Sequence, residues 1–415
     1  MKQLVKIGLG YLGVIFMTGC EAIEYQRSSP VAQCDSTTMV VAITPPPANT
    51  PSPKDTLVQM PKDSVLVPQE PKKDTTKVPL PPNTAPPVPV PAPVSVPVPV
   101  PAAPVPAPAP LPNTICTVLD DFWKKNAAKY DNNVVVAIFN LDSMVYSYKQ
   151  GKYTADQPLY IASATKWLTG AVIMSLVDDK KLNLTDKVSK YVPSFAKYGK
   201  ENITIKQLFA HTSGLIADSP FDERGGMTLQ ESVDSIAIYT KLSFLPGTKS
   251  MYGSCSYKVA ARVAEVIESK NWQQIFDERI ANKCGMKNVV FSPNNIKNPH
   301  PGAGVVCSFN EYLKFLMMMN NYGIYKNNRV LSQASIKEIE SDQSGGINSF
   351  YGLGVWRYNV ENGFAKEVSS PSAMGVHPWI NREKKYFGLI FTQAGYENTI
   401  ESNLAFRNLV QNQIR

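Results

Sequence analysis

Between Pro45 and Pro112 the chain passes through runs such as Val-Pro-Val-Pro-Val-Pro and Ala-Pro-Ala-Pro, which hold most of its 34 prolines. Proline lacks a backbone donor and fixes φ, so this stretch is excluded from helix interiors and sheet centres and is expected as extended polyproline II. At about 3.1 Å per residue such a segment reaches on the order of 200 Å. Flexible Lys-Asp-Thr interruptions near Lys54 and Lys72 shorten that reach. Whatever core the chain builds must therefore come from the remainder, residues 115–415, which is ample for one large domain.

The segment before the prolines reads as an export signal. Lys2 and Lys6 are followed by an apolar run, Ile7 to Met17, too short to span a bilayer. The run ends Met17-Thr18-Gly19-Cys20, which resembles the lipobox of bacterial lipoproteins and implies lipidation of Cys20. The expected organisation is a signal peptide over 1–19, a disordered Pro-rich tether over 20–114 and a folded domain over 115–415. That organisation places the domain outside the cytoplasm in a bacterial cell envelope, facing the periplasm or the surface, with the membrane reached through Cys20. The net charge of +8 comes from scattered lysines with no basic-aromatic patch, so no nucleic-acid partner is expected. The remaining cysteines, Cys34, Cys116, Cys255, Cys284 and Cys307, are odd in number and match no zinc spacing. Export permits disulfides, but no pairing can be read from the sequence.

Within the folded part, an apolar stripe of Leu119, Phe122 and Trp123 predicts a helix over 115–130. A β-branched run from Val134 and a segment from Ser143 to Lys149 predict a hairpin. Tyr351 to Tyr358 and Lys385 to Thr392 read as strands, and Glu401 to Arg415 as a closing helix. Between them lie helical segments at 165–180, 205–209, 229–239, 257–270, 272–283 and 310–320. Strands from both chain ends and helices from the middle predict an α+β fold, an antiparallel sheet flanked by the terminal helices with an inserted helical subdomain.

The chemistry is carried by Ser163-Ala164-Thr165-Lys166 at the start of the apolar segment Trp167 to Val177. On a helix, residues i and i+3 share a face, so the lysine amine reaches the serine hydroxyl. A helix N-terminus adds free N–H groups that favour developing negative charge, and a desolvated lysine can act as general base. Four letters alone are weak. A second copy, Ser194-Phe195-Ala196-Lys197, sits in a proline-bearing loop and is read as a chance match. There is no G-x-S-x-G elbow and no G-x-G-x-x-G loop. His211, His300 and His377 form no H-E-x-x-H pair, so neither a cofactor nor a metal is expected. His211, in a turn at a helix end, is read as structural.

Ordered context makes the motif specific. Ile161-Ala-Ser-Ala-Thr-Lys-Trp-Leu-Thr-Gly, the stretch from Leu182 to Pro193, Ile203 to Leu215, Pro246-Gly-Thr, Tyr252-Gly253-Ser254, Cys284-Gly-Met286 and Gly302-Ala-Gly follow in order. Together they resemble the serine β-lactamase, DD-peptidase and esterase superfamily, class C-like. The resemblance implies a β-lactamase/transpeptidase-like fold, Ser163 as nucleophile, Lys166 as its activating partner and Tyr252 sharing the proton traffic with it, as main base or as leaving-group acid; a phenol beside an ammonium can lose its proton near neutral pH. Ser254 stands where that family usually has asparagine and is expected to bond Lys166 or substrate. The third motif departs further: Ser370-Pro371-Ser372-Ala373-Met374-Gly375 stands where a Lys-Thr-Gly or His-x-Gly strand is expected, with no cation. Ser370, Ser372 and Ala373 are expected to line the substrate, the Ala373 backbone helping to hold the oxyanion. The implied activity is hydrolysis of an ester or amide in a small-molecule or peptidoglycan-derived acyl substrate, with antibiotic degradation disfavoured. The alternative is a catalytically weak or inactive module of this fold that binds peptidoglycan or an envelope partner.

Overall fold

A computed structural model describes residues 111–414. The signal segment, Cys20 and the tether up to residue 110 lie outside the described residues. In chain order the elements begin with α1 (Asn113–Asn126), β1 (Val134–Asn140), β2 (Ser143–Gln150), β3 (Leu159–Tyr160) and α2 (Thr165–Asp178). The inserted helical part follows, with α3 (Ile205–Phe209), α4 (Leu229–Tyr239), α5 (Cys255–Glu268) and α6 (Trp272–Phe276). Next come β4 (Val290–Phe291), β5 (Val305–Cys307), α7 (Phe309–Asn320), β6 (Ile324–Tyr325), β7 (Asn328–Arg329) and α8 (Gln333–Ile339). The chain closes with β8 (Trp356–Glu361), β9 (Phe364–Ser369), β10 (His377–Asn381), β11 (Tyr386–Phe391) and α9 (Tyr396–Gln413).

The main sheet has the order β2-β1-β11-β10-β9-β8, and every pairing in it is antiparallel. β1 shows why the sheet is covered on both faces. Val135, Ala137 and Phe139 join one apolar core with α2, α5 and α7, while Val134, Val136 and Ile138 join a second core with Leu119, Trp123, Phe406 and Val410 of α1 and α9. Alternate side chains of a strand point to opposite faces, so one run of β-branched residues serves both layers. The expected α+β arrangement, terminal helices on one face and the inserted helices on the other, is what forms.

α2 is apolar nearly all round, burying Trp167, Leu168, Ala171, Val172, Ile173 and Leu176, as a helix running through a core must. The Leu, Val and Ile side chains among these contribute about 1.5–3 kcal/mol each, enough to hold polar residues of the same helix out of water. Two boundaries differ from the sequence reading. The helix from Trp272 ends at Phe276 and widens to a π-turn over Asp277–Ala281; there Arg279 turns inward to Glu268 and the Ser175 carbonyl. The hairpin of β8 and β9 replaces the single strand expected at 351–358. Cys116, Cys255, Cys284 and Cys307, the cysteines among the described residues, are unpaired.

Candidate active site

The chain enters the site along β3, whose neighbour β5 anchors the next turn: the Ile161 N–H donates to the Val305 carbonyl at 2.9 Å. Ala162 then takes φ +42°, a conformation unusual for a side-chain-bearing residue, which costs about 1–3 kcal/mol and is kept only where surrounding packing imposes it. The bend sets Ser163 in a single 3₁₀ turn, Ala162–Ala164, running straight into α2. The Ser163 N–H takes no acceptor among the described residues.

Lys166 is 1% exposed. Its Nζ lies 2.9 Å from the Gly302 carbonyl oxygen, 3.4 Å from Ser254 Oγ and 3.3 Å from Ser163 Oγ. It also lies 4.8 Å from the Tyr252 ring centroid and 5.4 Å from that of Tyr257. Among the described residues no carboxylate pairs with it. Burial lowers the amine from 10.5 to about 7, with the more distant Asp218 pulling the other way.

Tyr252 and Ser254 flank Gly253 in the turn before α5. A Cβ on Gly253 would sit 2.2 Å from the Ala217 carbonyl oxygen, and one on Gly302 would sit 2.7 Å from Ser254 Cβ. The absence of those two side chains lets the three loops close around the lysine. Tyr252 stacks on Trp356 with centroids 5.6 Å apart, and meets the His211 ring at a tilt with centroids 4.6 Å apart. Burial pushes its phenol up to about 12, hydrogen bonding to Ser163 lowers it and Asp218 raises it. With 39% of the residue open to solvent, water offsets part of that rise, and the phenol still keeps its proton at neutral pH. Of the two roles open to Tyr252, a protonated phenol fits the leaving-group acid rather than the base: desolvation acts against charge on both partners, lowering the lysine and raising the tyrosine.

His211 is buried with φ +61°, and its carbonyl accepts the Met251 N–H at 2.9 Å. Burial, then Lys166, hold its imidazole well below its usual range. It is a neutral packing surface for Tyr252, as the turn position suggested.

The third segment departs from the expected strand. β9 ends at Ser369, and Ser372 to Gly375 form a turn, because Pro371 cannot donate to a ladder and Gly375 takes φ +92°. The Ser370 hydroxyl donates to the Ser163 carbonyl at 3.3 Å. Its own N–H is committed to the Pro378 carbonyl, and that of Ser372 to Val376. Ser372 Oγ is buried without a partner. Ala373 is exposed in the turn rather than placed on a strand, and its N–H takes no acceptor among the described residues. His377, near this segment in sequence, faces away from the cleft into a buried network. Arg407 donates to its Nε2 at 2.9 Å and pairs with Glu367. The second Ser-x-x-Lys is dispersed: Ser194 donates to Asp234 at 2.7 Å, and Lys197 is exposed.

Sequence reasoning missed the Gly302 carbonyl as the shortest lysine contact, and the ring wall of Tyr257, Tyr351 and Trp356 beside Tyr252. Gly302 had a signal in its ordered segment; the rings had none.

A beta-lactamase family model matches residues 124–412. The chain is 31% identical over 149 residues to Protein flp of Staphylococcus aureus, covering 35% of this chain and 30% of that protein. It is 29% identical over 150 residues to the D-alanyl-D-alanine-carboxypeptidase/endopeptidase AmpH of Escherichia coli, covering 34% and 38%. The chain thus spans about a third of the length of these curated relatives. Among solved structures it resembles a beta-lactamase-like protein of Bacteroides dorei, with a TM-score of 0.64, 27% identity and coverage of 72% and 98%. The hydrolase EstCE1 has a TM-score of 0.62 and the same coverage at 16% identity, a likeness of fold alone.

Proposed function

The chain belongs to the beta-lactamase family of serine hydrolases, and from that premise we propose that it cleaves an ester or amide through an acyl-enzyme on Ser163. The observation that carries this reading is the Lys166 amine, buried without a carboxylate and 3.3 Å from Ser163 Oγ. A neutral amine has two N–H donors and one lone pair. The Gly302 carbonyl and Ser254 Oγ take the donors, which leaves the lone pair for the Ser163 proton. As Ser163 Oγ attacks the acyl carbon, its proton passes to Lys166 and the carbonyl electrons move to oxygen. The N–H groups of Ser163 and Ala373 are the donors offered to that oxyanion, both without acceptors among the described residues. Collapse expels the leaving group, which is protonated by Tyr252 as a neutral phenol. The Lys166 ammonium then returns its proton to the Tyr252 phenolate, so both groups regain their starting states. Water attacks the acyl-enzyme, giving a proton to Lys166, which passes it to Ser163 Oγ as the acid product leaves.

The substrate class follows from the missing cation. Near the third segment the Ser370 hydroxyl touches Ser163, while Arg407 is buried against Glu367 and His377. Among the described residues of that segment no cation stands ready for a substrate carboxylate. Esters, and peptidoglycan peptide bonds that present no free carboxylate there, are therefore favoured over penicillin-like rings; the likeness to AmpH, named as an endopeptidase as well as a carboxypeptidase, supports the peptidase arm. The proposed setting is a cell envelope, with Cys20 lipidated and residues 20–114 as tether to a catalytic domain over 115–415.

Turnover of p-nitrophenyl acetate tests the reading. Wild type is expected to turn over above the Ser163→Ala background, with similar melting temperatures. Equal rates for the two would favour the non-catalytic binding module.

A further inference from the structure

Beside the Ser163 cluster, two loops bring together three side chains that the proposed hydrolysis does not use. Asp218 and Asp222 come from the loop between α3 and α4, and His300 from the turn between β4 and β5. One potential ligand atom from each lies within 4.8 Å of the other two. Asp218 is exposed, whereas Asp222 is 4% and His300 8% exposed. Both buried members carry an orphaned polar atom: among the described residues Asp222 Oδ1 and His300 Nδ1 have no partner, and neither has Asn298 Oδ1, two residues before His300. Native interiors rarely leave such atoms unpaired.

Neighbouring groups do not supply the missing partners. Asp222 Oδ2 accepts the Ser219 N–H at 2.6 Å, leaving Oδ1 open. The buried Lys258 ammonium donates to the carbonyls of Asp222 and Pro299, each at 2.7 Å, rather than to the carboxylate. Asp222 feels Lys258 as its one cationic neighbour, and Asp218 and Glu223 as anions. A cation between the two loops would give the orphaned Asp222 and His300 atoms the partner that these neighbours do not supply.

We propose that Asp218, Asp222 and His300 form a binding site for one divalent cation of the Mn²⁺ or Zn²⁺ kind. One imidazole nitrogen with carboxylate oxygens suits such ions. Bonds of about 2.0–2.2 Å draw ligand atoms closer than the present spacing, and the exposed Asp218 is free to close that gap. The position gives the ion a structural purpose. The Ala217 carbonyl, beside Asp218, accepts the N–H groups of Ser254 and Cys255 at 2.7 and 3.0 Å. On the other loop, the Pro301 carbonyl accepts the Thr169 hydroxyl at 2.6 Å and the Gly302 carbonyl accepts Lys166 at 2.9 Å. A cation bridging the loops ties together the two segments that hold the lysine's partners. It is a positioning element and takes no part in bond making.

The full chain, stripped with EDTA, is titrated with Mn²⁺ while free Mn²⁺ is followed by electron paramagnetic resonance. Mn²⁺ is the probe because thiols such as Cys116 compete for zinc. One Mn²⁺ per chain is expected to bind saturably, with the melting temperature raised. Asp218→Asn, at an exposed position, weakens binding by about ten-fold or more and removes the thermal effect, as does His300→Gln; Ser163→Ala binds as wild type. Equal binding by wild type and Asp218→Asn overturns the proposal, as does no saturable binding up to about 1 mM. Neither result bears on ester turnover, so the hydrolase reading stands or falls separately.

Discussion

Acylation by this site should follow deprotonation of Lys166, and the structure sets where that happens. Burial lowers the amine from 10.5 to about 7, which corresponds to on the order of 5 kcal/mol of disfavoured ammonium. At pH 7 about half of the chains then hold a free amine, against roughly one in 3000 for an unperturbed lysine. With p-nitrophenyl acetate, kcat/KM is expected to show an acid limb centred near the lysine value of about 7. Below the limb the rate should fall about ten-fold per pH unit. Tyr252, whose phenol is pushed up, should impose no loss through the mildly alkaline range. Stability carries the matching sign. Between about 7 and 10.5 the folded chain binds fewer protons at Lys166 than the unfolded chain does, so unfolding free energy rises with pH across that window. The cost of burying the ammonium is fully present below it. Lys166→Met should therefore abolish turnover yet raise the melting temperature at pH 6, with a smaller gain at pH 9. A limb near pH 10, or a variant less stable than wild type at pH 6, would refute the reasoning.

Other substitutions probe the framework. Gly302→Ala places a Cβ 2.7 Å from Ser254 Cβ; a loss of about 1–3 kcal/mol in urea unfolding with reduced kcat is expected, and unchanged values for both would contradict the close packing. Arg407→Leu strands buried Glu367, and should cost about 3–5 kcal/mol in the same assay, with much of it recovered in the Arg407→Met, Glu367→Met double variant. Ser194→Ala should leave ester turnover within about two-fold of wild type, since its hydroxyl is engaged by Asp234; a large loss would revive the second motif.

The first strand was legible because Val134 to Phe139 is an unbroken apolar, β-branched run, the mark of a strand buried on both faces; that its side chains divide between two cores is visible only in the fold. Ser163 and Lys166 were legible because three residues on a helix is a local distance. Their partners were harder to see. Ser254 was reached through the neighbouring Tyr252, but the Gly302 carbonyl is a backbone group that sequence spacing does not reveal. Asp218, Asp222 and His300 come from loops distant along the chain, and their types match no spacing motif. The sequence left Tyr252 open between base and acid because what separates them is burial, a property of the whole fold. Ala373 was placed on a strand because Pro371 and Gly375 were weighed too lightly as strand breakers.

The central claim is that Ser163 is the acylated nucleophile. Wild type and Ser163→Ala should be treated in parallel with a fluorophosphonate and a fluorescent penicillin, and the labelled residue located by peptide mass spectrometry. The account predicts stoichiometric fluorophosphonate on Ser163, little or no penicillin labelling, and no label on the variant. Label retained by Ser163→Ala, or a wild type that neither reagent modifies, would contradict it.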